Sequence, residues 1–103
     1  MTKTQYDEML ATKRAIDAIE NAMAAGYTVD RNEYTKLLDR FEHFKDGLDA
    51  DAIYMTPAEY EAFRLRYVFG YTYHTLTMVA YRGLKSETTA RKLISRWFKR
   101  MGA

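Results

Sequence analysis

The sequence predicts an all-α fold, a helical hairpin followed by three shorter helices, and three observations carry that prediction. Apolar residues recur at steps of three and four over almost the whole chain, and no segment alternates as a half-buried strand does. Helix-start residues (Asp30, Thr56, Thr72, Ser86) precede the apolar stripes, and helix-stop glycines (Gly26, Gly70, Gly83) follow them. At 103 residues and 48% hydrophobic, the chain fits one domain, or a small domain with an oligomerisation arm.

In the first helix Tyr6, Met9, Ile16, Ile19 and Met23 form the stripe, Thr12 and Lys13 interrupt it, and Gly26 provides the stop. The second helix starts at Asp30, with Glu33 three residues on as in a capping box. It carries Tyr34, Leu37, Phe41, Phe44 and Leu48, and Leu38 widens the stripe. A short turn between Gly26 and Val29 makes the two an antiparallel hairpin. Neither helix buries its stripe alone, so they must pack on each other, on the C-terminal half, or on a second copy of the chain. Gly47, Asp49 and Asp51 mark a helix end and a connection, anchored by Ile53, Tyr54 and Met55.

That connection divides the chain into residues 1–52, the hairpin, and residues 53–103, a second module. Thr56-Pro57-Ala58-Glu59 restarts the helix: threonine suits the N-cap, proline the first helical position, and glutamate reaches back to the cap amide. This third helix should run to about Phe69 and end at Gly70. Thr72 caps a fourth, with Leu76, Val79 and Ala80 inward, ending near Gly83. Ser86 caps the fifth, with Ala90, Leu93, Ile94, Trp97, Phe98 and Met101 inward. The last two helices are joined by a tight turn, Arg82 to Lys85, and the three together make a tri-helical helix-turn-helix.

Charge separates the two parts. From Arg64 onward nine cations stand against one acid, Glu87, a net of +8, whereas the first 63 residues hold seven cations and 13 acids, a net of −6. The whole-chain value of +2 hides an acidic half joined to a strongly basic one. No cysteine is present, which excludes disulfides and thiolate metal sites and fits a reducing cytoplasm. The polar start MTKTQYDEML is unlike a signal peptide, and no run approaches the roughly 20 apolar residues of a membrane span. His43 and His74 have no His or Cys at i+3 or i+4, so no metal or other cofactor is expected. Glu59 and Glu61 point apart on a helix, and no nucleophile signature or phosphate-cradling glycine loop occurs, so the chain reads as a non-enzyme.

The basic half suits double-stranded DNA. Lys and Arg that neutralise phosphates release counterions, and a helix with one polar cationic face can enter the major groove. On the fifth helix Thr88, Arg91, Lys92, Ser95 and Lys99 fall on one side, with Arg96 at its edge, opposite the apolar side. Arg82, Lys85 and Arg100 sit where phosphates would flank such a helix, and Ser86 and Thr89 suit capping and phosphate contacts near its start. Tyr71, Tyr73 and Tyr81 are candidates for stacking on bases.

Arg66-Tyr67, Gly70-Tyr71-Thr72, Val79-Ala80, Ser86-x-x-Thr89-Ala90-Arg91 and Arg96-Trp97-Phe98-x-x-Met101 together resemble DNA-binding region four of bacterial sigma factors, over residues 62 to 101. The resemblance implies that Ser86, Thr89 and Arg91 open a recognition helix. The chain departs from the family pattern in carrying about three extra residues between Gly70 and Ser86, and Met78 where the pattern has an acid. An acidic helical arm ahead of such a module is similar to small phage-encoded late-gene regulators of the ArpU and RinA type. These readings predict a phage-encoded, sequence-specific transcriptional regulator whose acidic hairpin forms a homodimer or contacts RNA polymerase. Two other functions fit the same features: an anti-sigma-like inhibitor that grips an acidic partner, and a small DNA-packaging subunit.

Overall fold

The computed structural model describes residues 1–102, which form five α-helices and no strand: α1 Lys3–Ala24, α2 Arg31–Asp51, α3 Pro57–Phe63, α4 Tyr73–Tyr81 and α5 Glu87–Met101. A 3-10 turn, Ala52–Tyr54, follows α2, and α3 continues without a break into a π-helical stretch, Arg64–Val68. No helix among the described residues is long and apolar enough to cross a membrane.

Helix starts follow local chemistry. Thr2 and Gln5 form a complete capping box on α1, and Thr56 and Glu59 form one on α3 behind Pro57. Asp30 accepts from the amides of Asn32 and Glu33, so α2 is capped from one side only and the reciprocal half from Glu33 is not made. Thr72 accepts from Thr75 on α4. Ser86 has the extended backbone of an N-cap, but its hydroxyl makes no capping bond and lies 3.5 Å from Thr89 Oγ1.

Helices α1 and α2 run antiparallel, fastened at their open end where Asp51 accepts from the Tyr6 hydroxyl and pairs with the Met1 ammonium, and midway by Arg40–Glu8. The hairpin packs into the C-terminal half. Tyr6, Met9, Leu10 and Ile16 of α1, with Phe41 and Leu48 of α2, share one buried cluster with Phe63, Tyr67, Ile94, Trp97 and Phe98. Tyr6 sits at its centre, 0% exposed, with ring centroids 5.0 Å from Phe63, 5.0 Å from Tyr67, 5.5 Å from Phe98 and 6.1 Å from Trp97. A smaller cluster of Leu65, Leu76 and Ala90 joins the π stretch, α4 and α5. The core therefore runs across the connection at residues 52 and 53.

Several expectations are corrected. Helix α2 does not stop at Gly47 but runs on to Asp51, and a Cβ at Gly47 would lie 2.6 Å from Met1 Sδ. Ile53 and Tyr54 do not anchor the connection by their side chains, which are 77% and 58% exposed. The Tyr54 carbonyl anchors it instead, accepting from Trp97 Nε1 and from Arg100. Thr12 does not break the first stripe, since it is buried with its hydroxyl donated to the Glu8 carbonyl. Val79, Met101 and Leu38 are exposed, and Thr77, donating to the Tyr73 carbonyl, takes the inward position on α4 beside Leu76.

Candidate nucleic-acid interface

Helix α5 has two sharply different sides. Ala90, Ile94, Trp97 and Phe98 are buried, while Thr88, Thr89, Arg91, Lys92, Ser95, Arg96 and Lys99 are exposed, as are Arg82, Lys85 and Ser86 ahead of it. The acidic hairpin leaves this side uncovered. Its N-terminal end lies beside one edge, where Lys3 and Asp7 of α1 share a cleft with Arg91, Ser95 and Lys99.

The turn that presents the start of α5 is tight. Arg82 and Gly83 are both left-handed, at φ 52° and 75°, and Gly83 N–H and Leu84 N–H close back on Thr77 and Tyr81. Arg82 is the one described non-glycine residue with positive φ, a conformation that costs a side-chain-bearing residue about 1–2 kcal/mol. Leu84 in the turn is 86% exposed, and Met78 and Val79 of α4 are exposed as well.

Carboxylate pairing is commoner in the hairpin than on α5, although the exposed Arg14, Arg31 and Lys36 of the hairpin have no carboxylate partner among the described residues either. In the hairpin Lys3, Lys13, Arg40 and Lys45 each hold a carboxylate within 4.0 Å. Among the described residues Arg82, Lys85, Arg91, Lys92, Arg96 and Lys99 hold none. Arg100 departs from the expectation that it flanks a phosphate. Its Nη2 donates to Glu59 Oε1 at 2.9 Å, and that carboxylate is 4% exposed. Burial pushes the Glu59 carboxyl up, but the hydrogen bonds from Arg100 and Thr56 and the nearby guanidinium outweigh it, holding Glu59 below the ordinary carboxylate range. Arg100 thus ties the last turn of α5 to the first turn of α3.

The three tyrosines lie in different settings. Tyr71 stacks on Phe69 at 5.6 Å, and Lys85 Nζ lies 5.1 Å from the Tyr81 ring. Tyr73 is flanked by two guanidinium groups, Arg66 at 4.2 Å and Arg91 at 4.4 Å from its ring centroid. Arg66 Nη1 donates to the Tyr71 carbonyl at 2.9 Å. The sequence reading missed Arg66 and Lys3 as neighbours of Arg91. A signal for Arg66 was present, a cation on the short segment before the last two helices, whereas nothing local links Lys3 to residues almost ninety positions away. His43 and His74 are both exposed, and no group of three metal-ligating side chains comes together among the described residues.

No protein-family model matches the chain, and no curated protein or solved structure is significantly similar to it.

Proposed function

We propose that this protein is a sequence-specific DNA-binding regulator of transcription that reads the major groove with α5. One observation carries the reading. Six cations gathered on α5 and the turn before it are exposed and lack carboxylate partners among the described residues, whereas four of the hairpin's seven are paired. Unpaired cations on one surface repel one another, and a polyanion relieves that repulsion while releasing its counterions.

The roles divide by position. Arg82 and Lys85 on the turn, with Ser86 and Thr89 at the helix start, would hold backbone phosphates and set the register. Arg91, Lys92, Ser95, Arg96 and Lys99, spread along the exposed side with Thr88, would reach base edges and the groove walls, with arginine suited to bidentate contact with guanine. The tight turn and short α4 suit a helix-turn-helix, in which the second helix enters the groove and the first crosses above it. Because α1 and α2 share the core of α5, the hairpin would stiffen this element, and its acidic outer surface would face polymerase or a second copy.

Random-site selection on duplex DNA with the purified chain tests this reading. Enrichment of a defined site, palindromic if the chain dimerises, is expected. Recovery of an unenriched pool at low salt, with no retained duplex, would overturn it.

A further inference from the structure

We infer that the cleft between the first turns of α1, the π stretch and α5 binds a small organic phosphate with a flat apolar body. This cleft has a volume of about 400 Å³, within the roughly 300–1,000 Å³ range of small-molecule sites. Its charge is strongly unbalanced: Lys3, Arg66, Arg91 and Lys99 line it against one acid, Asp7, which is already bonded to Lys3 at 3.1 Å. Arg66 and Arg91 are drawn to the same Tyr73 ring although they carry like charge, and neither has a carboxylate partner among the described residues. Arg66 Nε is buried without an acceptor, the one such side-chain atom among the described residues.

The lining decides the ligand class. Tyr67, Ile94 and Phe98 are buried and give the cleft an apolar floor, on which a ring can lie while its charged group meets the exposed Arg91, Lys99 and Lys3. Planar guanidinium forks match phosphate oxygens in pairs, and a net charge of +3 favours a dianionic phosphate ester over a monocarboxylate. Arg91, Ser95 and Lys99 belong both to this cleft and to the exposed side of α5. An occupied cleft therefore withdraws them from DNA, a consequence that rests on the proposed function.

Isothermal calorimetry with adenosine 5′-monophosphate as the probe, and adenosine and inorganic phosphate as its separated parts, tests the site without DNA. Saturable binding of the nucleotide with a Kd below about 1 mM is expected, with each part alone about tenfold weaker or more. Arg91→Gln, at an exposed position, should weaken the nucleotide about tenfold, since a charge-assisted bond is lost, while Lys92→Gln, outside the cleft, should leave it unchanged. No saturation up to about 10 mM overturns the proposal. So does phosphate alone matching the nucleotide, or Lys92→Gln weakening it as much as Arg91→Gln. A flat isotherm from a chain that still binds duplex removes the cleft alone, and a saturating isotherm from a chain that ignores duplex removes the DNA reading alone.

Discussion

Replacing Tyr6 with alanine asks whether the two halves of the chain are one cooperative unit. Tyr6 is fully buried and its ring lies within 6.1 Å of four aromatic rings contributed by α3, the π stretch and α5. Truncating a buried aromatic costs about 3–5 kcal/mol from lost transfer and the cavity left behind. The hydroxyl adds about 1 kcal/mol, because Asp51 loses one donor but keeps the Met1 ammonium. The sum approaches the lower half of the roughly 5–15 kcal/mol that stabilises a typical domain. Since 1 kcal/mol shifts Tm by about 4–8 °C at this size, the variant should melt at least about 15 °C below the parent. Trp97, the only tryptophan, lies in the same cluster on α5, so its fluorescence reports the C-terminal half while far-UV circular dichroism reports all helices. Both probes should shift together. Tyr6→Phe, which keeps the ring, should lose only about 1 kcal/mol. An unchanged Trp97 transition in Tyr6→Ala would refute the shared core and make residues 1–52 a separate unit.

The remaining predictions concern the fastenings around α5. Glu59 has its carboxyl held below the ordinary range, so its contribution is complete above the ordinary carboxylate pKa and is lost as pH falls through the lowered native value. The Tm gap between parent and Glu59→Gln should therefore narrow as pH falls below the ordinary carboxylate range, and a constant gap would contradict the pairing with Arg100. Arg100→Ala leaves a buried carboxylate with Thr56 as its remaining donor and should cost about 1–3 kcal/mol by denaturant titration, with little loss of duplex affinity. Arg82→Gly relieves a left-handed strain of about 1–2 kcal/mol against an unfolded-state entropy cost of about 0.5–1 kcal/mol. Its Tm should match or exceed the parent's while duplex binding weakens; a Tm drop of several degrees would mean that the Arg82 side chain packs.

What the sequence made legible was what neighbours in the chain decide. Thr56-Pro57-Ala58-Glu59 forms its cap from residues three apart, and the stripe Ala90-Ile94-Trp97 needs only helical spacing to pick its buried side. The alternation of exposed cations with that stripe was equally plain, and the cations Arg91, Lys92, Arg96 and Lys99 opposite it are exposed. What stayed hidden was set by distant partners. Gly47 looks like a helix stop, yet α2 runs on to Asp51, with Met1, 46 residues earlier, lying against it. Arg100 looks like one more phosphate contact until Glu59, 41 residues away, takes it. Tyr54 acts through its carbonyl, which no side-chain pattern encodes. The cleft at Arg66 and Arg91 exists because α1 returns its first turn to the side of α5, a tertiary fact without a local signature.

The central claim, that the unpaired cations of α5 and its turn grip a duplex, is tested most directly by the salt dependence of binding to a fluorescent duplex. With about six phosphates neutralised, log Kd against log salt should have a slope near 5, weakening binding by about 10³ between about 50 and 200 mM. Lys92→Ala should lower that slope by about one, while Arg40→Ala, which removes a cation already paired with Glu8, should leave it unchanged. A slope near zero, or equal losses from Lys92→Ala and Arg40→Ala, would contradict the account.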